Sequence, residues 1–487
     1  MEKVFIDSRE LDVLAQKRFG LSEDILMENA AATLEKEAVL LCQLDKAKVL
    51  ILAGSGNNGG DGWALARRLC RKCADLVVLE CKEAKSPMCL LQKQRALACG
   101  VVVCKEFPQD FSFTLIFDCI FGAGFYGQLP QEIQKIVNSC NESDAIRIAC
   151  DLPSGIDENG HCSDFSFSAD LTVTMGTLKL SLFSDVAKDL CGKIKVCDLG
   201  VSRKLFEADD VKVAAFLLEK NDLRLPLREK QNVNKGSFGH TVLALGEKSG
   251  AAMIAASAAI RFGSGLVSLV NSQGCFPINV PMELMTSNSI PANTSALAIG
   301  MGLGQQSKEI DFYFDYILSN KSIPCLLDAD IFYSDKIKDL LKNRSKGLVL
   351  TPHPKEFSIL LEKCGLGKYS VSDVLEKKIE LVKEFCATFP DLVLLLKGAN
   401  VLIARQKKES TSAEIFINPY GSSALAKGGS GDVLSGLTAA LLAQGYEPLD
   451  AAKNASLAHA LAGASFGNSY SMTPSDLIAA IRGKLAK

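Results

Sequence analysis

No stretch of this 487-residue chain reaches 18 uninterrupted apolar residues, so no transmembrane helix is predicted. The opening, MEKVFIDSRE, is charged from its second residue and lacks an apolar run, which argues against a secretory signal peptide. Neither sign of charge is in excess. Lys plus Arg total 54 against 56 Asp plus Glu, a formal net charge of −2, so the usual electrostatic drive toward nucleic acid or membrane is missing. There is no repeat at a fixed period, which excludes solenoids, and the 38 glycines keep no three-residue period, which excludes collagen-like structure. The 17 cysteines are scattered and odd in number. Cys70 and Cys73 form one CxxC, with no second pair or nearby histidine to complete a zinc site. Reduced thiols in a cytoplasmic protein are therefore expected.

What is present has the balance of an ordinary globular protein, 48% hydrophobic and 23% charged. The length calls for two to four domains, two being the simplest case. Short apolar runs alternate with helical segments: KVLILAG (48–54), DLVVLE (75–80), FTLIFDCIFG (113–122), AIRIACDLPSG (145–155) and LTVTMG (171–176) in the first half. HTVLALG (240–246), GLVSLVN (265–271), ALAIGMGLG (296–304), PCLLDAD (324–330), GLVLTPHP (347–354) and DLVLLLKG (391–398) follow in the second. This alternation predicts α/β architecture with largely parallel sheets, and ligands in such sheets bind outside the carboxyl ends of the strands. Residues 202–235 are charged and without clear pattern, so domains are expected over 1–210 and 211–487.

In the first half, AGSGNNGGDGWALARRL (53–69) follows a strand and opens a helix, with Gly54, Gly56 and Gly59 satisfying GxGxxG. Its glycines allow close backbone approach to a ligand, and Asn57, Asn58 and Asp61 supply polar groups beside a helix N-terminus. Asp61 as a plain helix cap is the competing reading, and Glu80 is the nearest candidate for the acidic residue that accompanies such a motif. Asp118 and Asp151 also sit at strand ends. Oxygen donors from Asn58, Asp118 and Ser154 suit a hard cation, and Lys179 is a candidate cationic acid/base partner on the same rim. In the second half, GGSGDVLSG places Gly428, Gly429 and Gly431 before a long apolar helix, a setting for phosphate oxygens. Asp432 beside them is placed to take a proton from an attacking hydroxyl, unless it serves only the helix dipole. His353 is held between prolines at a strand end. Lys397 is a candidate phosphate partner or a sheet-edge lysine.

GSGNNGGDG, the Asp118 plus GAGFYG loop and DLPSGID together resemble the NAD(P)H-hydrate epimerases over about residues 1–205. KGSFG, GMGLG, LDAD, TPHPKEF, KGANV and GGSGDVLSG, in that order, resemble the ADP/ATP-dependent NAD(P)H-hydrate dehydratases over about residues 212–487. The resemblance implies a Rossmann-like three-layer sandwich fused to a ribokinase-like domain. It also implies a bifunctional repair enzyme that epimerises R and S hydrates of NADH and NADPH and dehydrates the S form with ADP or ATP. By the same resemblance, Asp151, Lys179 and Asp432 would be catalytic, and Asn58, Asp118 and Ser154 would hold potassium. Asn57, Asn58, Gly59, Gly60, Asp61, Gly122, Ala123, Gly124, Phe125, Tyr126, Gly127, Gln128 and Asp151 would contact the hydrate in the first domain, and Ala252, Gly302, His353 and Asp432 in the second. Lys397, Gly398, Ala399, Asn400, Val401 and Gly431 would contact the nucleotide, with Mg2+ accompanying it. No nucleic-acid or membrane partner and a homo-oligomer are expected. Asn234 stands where the family often carries His. The alternative is a ribokinase-type small-molecule kinase fused to a binding or scaffold domain.

Overall fold

The computed structural model describes residues 1–108, 112–207 and 211–484. It divides into one unit over Lys3–Ala215 and a second from Phe216 onward together with Met1–Glu2. The boundary expected at residue 210 falls outside the described residues.

The sheet of the first unit is parallel throughout. Its order is Val102–Cys104, Asp75–Glu80, Lys48–Ala53, Leu115–Cys119, Ile146–Cys150, Leu171–Met175 and Lys193–Cys197. Alternation along Lys48–Ala53 explains why that run is apolar from end to end. Val49, Ile51 and Ala53 pack on one face with helices Glu23–Leu41 and Asn57–Leu69. Leu50 and Leu52 pack on the other with Ile133 and Val137 of helix Gln131–Asn141. A strand covered on both faces needs apolar residues at every position. The chain reverses its direction of sheet growth between Lys48–Ala53 and Leu115–Cys119, the crevice where α/β sheets bind ligands. A separate short strand, Glu2–Phe5, pairs in parallel with Leu178–Lys179, and helix Arg9–Phe19 follows it.

In the second unit the strands run Met285–Ser287, Leu266–Val270, His240–Ala244, Ala296–Ile299, Cys325–Leu327, Leu348–Leu350 and Val393–Leu396, all parallel. An antiparallel hairpin, Val401–Arg405 with Glu414–Asn418, extends this sheet. The core on one face is built by helices Ser249–Arg261, Ser430–Ala443 and Pro448–Ala464. The first two lie so close that a Cβ on Gly436 would fall 2.1 Å from the Ala255 carbonyl oxygen. Both units have the α/β class expected from the sequence. No helix among the described residues is long and apolar enough to cross a membrane.

Candidate active sites in the two units

In the first unit the strand-end residues meet around two buried carboxylates. Asp118, fully buried, accepts hydrogen bonds from the Ser154 hydroxyl and backbone N–H, each at 2.7 Å, and from Ile120 N–H at 3.2 Å. Burial nevertheless pushes its carboxyl up to about 6. Ser154 Oγ also accepts from Phe121 N–H at 3.0 Å, while Asn58 Nδ2 donates to the Phe121 carbonyl at 2.9 Å. That leaves Asn58 Oδ1 buried without a hydrogen-bond partner. An orphaned amide oxygen near a buried carboxylate and a hydroxyl is a donor set suited to a large monovalent cation.

Asp151 directly follows strand Ile146–Cys150 and adopts φ 69°, left-handed backbone in a non-glycine residue. Its Oδ2 accepts Ala123 N–H at 3.2 Å, and its Oδ1 accepts Met175 N–H at 3.2 Å and Lys179 Nζ at 2.6 Å. Lys179 is not the rim lysine expected from the sequence. Its side chain is 0% exposed, and its ammonium group donates to Asp151, to Thr174 Oγ1 and to the Met175 carbonyl. All three N–H donors are thereby used, so Lys179 fixes Asp151 and has no proton directed at a ligand.

Two further acids complete the cluster. Asp61 is no helix cap: Gly56 is the N-cap of Asn57–Leu69, without a side-chain cap bond. The Asp61 carboxyl is buried, its hydrogen-bond partner is the Cys150 thiol at 3.9 Å, and burial holds its pKa well above the usual carboxylate range. Asp12, on helix Arg9–Phe19, was not singled out from the sequence. Burial raises its carboxyl to about 6. Asp12, Asn57, Asp61 and Met175 line one pocket of about 290 Å³.

Several expected contacts have structural employment instead. A Cβ on Gly59 would lie 2.0 Å from the Gly54 carbonyl oxygen, and one on Gly60 would lie 2.8 Å from the Met27 methyl. At both positions the absence of a side chain seats the helix closely against its neighbours. Phe125 is core, packed against Phe121 at 5.0 Å between ring centroids. Gly124, Tyr126, Gly127 and Gln128 are exposed, while Gly122 and Ala123 are half-buried next to Asp151. Glu80 is ion-paired with Lys93.

In the second unit, Lys397, at the end of strand Val393–Leu396, lies 3.0 Å from Asp328 Oδ1 and 3.7 Å from Glu356 Oε2. Ser435 Oγ holds the other Asp328 oxygen at 2.6 Å. Glu356 is buried and its carboxyl is pushed up to about 7 by that burial. Asp432, in the first turn of Ser430–Ala443, is raised to about 6, first by burial and then by the charge of Asp328. Nothing would meet a Cβ on Gly428, and Lys397 Nζ lies 3.5 Å from that position on Gly431. These glycines, unlike Gly59, face open space or the lysine. Gly398 and Ala399 are exposed, Val401 is half-buried, and Asn400 is buried with its carbonyl accepting Lys378 Nζ at 2.8 Å.

His353 caps helix Pro354–Cys364, its Nδ1 accepting Glu356 N–H at 3.2 Å. Burial lowers its pKa, which keeps the ring neutral near pH 7. Gly302 is buried with φ 62°, and a Cβ there would meet the Lys248 carbonyl oxygen at 2.4 Å. Ala252 is fully buried in the core, so its side chain offers no surface to the hydrate. Asn234 caps a short turn, its Oδ1 accepting Gly236 N–H at 2.9 Å.

Residues 241–483 match a family model described as NAD(P)H-hydrate dehydratase, and residues 23–181 match one described as YjeF-related protein N-terminus. The chain is 45% identical to the bifunctional NAD(P)H-hydrate repair enzyme Nnr of Helicobacter pylori, with 99% of this chain and 100% of that one covered. It is 30% identical to the enzyme of the same name from Moorella thermoacetica, covering 93% and 90%. Among solved structures, the ADP/ATP-dependent NAD(P)H-hydrate dehydratase from Bacillus subtilis co-crystallized with ATP/Mg2+ aligns at 26% identity and TM-score 0.46, covering 56% of this chain and 97% of that one. With a full-length relative at this identity and a matching model in each half, the chain belongs to the family of bifunctional NAD(P)H-hydrate repair enzymes.

Proposed function

We propose that the two units share the repair of hydrated nicotinamide cofactors, the first interconverting the R and S hydrates of NADH and NADPH and the second dehydrating the S form. For the second unit, the observation that carries this reading is Asp432 beside glycines open to a ligand and within the charged set of Lys397, Asp328 and Glu356. ATP or ADP transfers its terminal phosphoryl group to the hydroxyl of the hydrate, and Asp432 takes the hydroxyl proton. Phosphate then leaves with the C–O bonding pair, the neighbouring carbon loses a proton, and the double bond of the reduced cofactor is restored. Amides at Gly428 and Gly431 and the Lys397 ammonium group stabilise the transferring charge. Mg2+ would travel on the phosphate oxygens of the nucleotide itself, since no group of three metal-ligating side chains is assembled among the described residues.

For the first unit, the Asp151–Lys179 pair beside an acid-lined pocket carries the reading. Asp151→Asn should reduce interconversion by at least roughly 10²-fold. Asparagine tolerates left-handed backbone, so the fold should survive and dehydration of pure S hydrate should continue. Consumption of R hydrate at the wild-type rate, after subtraction of spontaneous epimerisation, would remove Asp151 from the mechanism.

Asn58, Asp118 and Ser154 would hold potassium, whose positive charge would favour the polar groups of the hydrate. The orphaned Asn58 Oδ1 supports this assignment. Crystals grown with potassium should give an anomalous peak at these residues, and Asp118→Ala should erase it and weaken hydrate binding. A wild-type map without that peak refutes the ion site. All 17 cysteines are free thiols, in keeping with a cytoplasmic protein. Self-association into a homo-oligomer is part of the same reading and is measurable by light scattering.

A further inference from the structure

Inverting a carbinol centre requires the hydroxyl to leave and water to return, so some group must give a proton and take it back. Asp151 is committed on both oxygens, to Lys179 and Met175 N–H on one and to Ala123 N–H on the other. Lys179 has spent its three donors. Asp61 is deep, against Cys150. Asp12 differs from all three. Its carboxyl lines the pocket with Asn57 and Met175, is only partly buried, and has the Ser8 hydroxyl at 3.3 Å as its hydrogen-bond partner. The same N-terminal strand places both partners of the chemistry: Glu2–Phe5 pairs with Leu178–Lys179, and the helix carrying Asp12 begins four residues after it, at Arg9.

We propose that Asp12 is the proton donor and acceptor of the epimerase, protonating the departing hydroxyl and recovering the proton from the water that re-adds. This rests on the reading of the pocket as the epimerase site. The carboxylic acid proton passes to the hydroxyl as the C–O bond breaks, water departs, and the ring nitrogen lone pair forms C=N. The cation then turns its other face to Asp12, water adds to that face, the C=N pair returns to nitrogen, and the excess proton returns to the Asp12 carboxylate. Nothing is oxidised or reduced. The cationic ring that exists between the two steps is matched by the fixed Asp151 carboxylate. The charged groups around Asp12 are Asp7 and Arg9 on its own segment, Glu23 on the next helix, Asp61, and the Asp151–Lys179 pair. A carboxyl held near 6 populates both protonation states close to neutrality.

The test uses the full-length protein, R hydrate, and measured interconversion with the spontaneous rate subtracted. Asp12→Asn should lower kcat by roughly 10²-fold or more with KM nearly unchanged, and should lack the fall in kcat expected of the wild type as pH rises through the ionisation of the acid. Asp12→Glu should recover part of kcat together with that pH-dependent limb. Nucleotide-dependent dehydration of S hydrate by both variants should match wild type. Wild-type kcat in Asp12→Asn, with Asp151→Asn inactive, overturns the role of Asp12 and leaves the epimerase site standing. Wild-type kcat in both overturns the site itself. A glutamate variant that folds, binds hydrate and recovers nothing also counts against Asp12.

Discussion

Asp432→Asn should abolish nucleotide-dependent recovery of NAD(P)H, with dehydration falling by roughly 10²–10⁴-fold, the range for loss of a positioned general base. Amide replaces carboxylate at nearly equal volume in the first turn of Ser430–Ala443. Nucleotide binding through the neighbouring glycine amides and Lys397 should therefore survive. The wild-type pH profile gives an independent check. With its carboxyl raised to about 6, Asp432 is protonated below that pH and unable to accept a proton. Wild-type kcat/KM should accordingly drop as pH falls through about 6. The residual activity of Asp432→Asn should lack that limb. Interconversion of R and S hydrates should persist, because the first unit has its own core. Near-normal dehydration by the variant would defeat the base assignment.

Lys179→Met should strongly destabilise the first unit. It deletes the cation of a buried pair and leaves the Asp151 carboxylate among donors too few to replace it. Breaking such a pair from one side costs about 3–5 kcal/mol. Denaturant unfolding of the full chain, followed with probes in each unit, should show an earlier transition for the first unit alone. Adding Asp151→Asn should restore much of the stability without restoring epimerisation, since an amide needs no counter-charge. An unchanged first transition in Lys179→Met would mean that the pair contributes little to the fold.

The two acids were singled out in the sequence because of their settings, Asp151 opening DLPSG at a strand end and Asp432 after GSG at a helix start. The apolar runs likewise marked the central strands, because burial on both faces removes polar positions. Strands with polar ends or exposed faces escaped that signal. Val401–Arg405 and Glu414–Asn418 carry Arg405 and Glu414, which pair across the hairpin, and Met285–Ser287 is largely exposed. Asp12 was hidden for a different reason. It sits in an ordinary helix beside Leu11 and Ala15, and its one signal was a carboxylate bordering that buried stripe. The role of Lys179 was invisible because the acceptor that matters most, the Asp151 carboxylate 28 residues earlier, is met only through tertiary folding.

The collision at Gly59 has a consequence for what the glycine-rich signature can diagnose. Gly54 and Gly59 are forbidden a side chain by backbone carbonyls of the protein itself, whatever occupies the pocket. A relative that had abandoned catalysis would still be obliged to keep them in order to seat the helix. It would be free to lose Asp12, or the Asp151–Lys179 pair as a whole. A chain bearing GSGNNGGDG therefore advertises a scaffold, and turnover is better judged by the acids and the lysine that no steric rule compels it to retain.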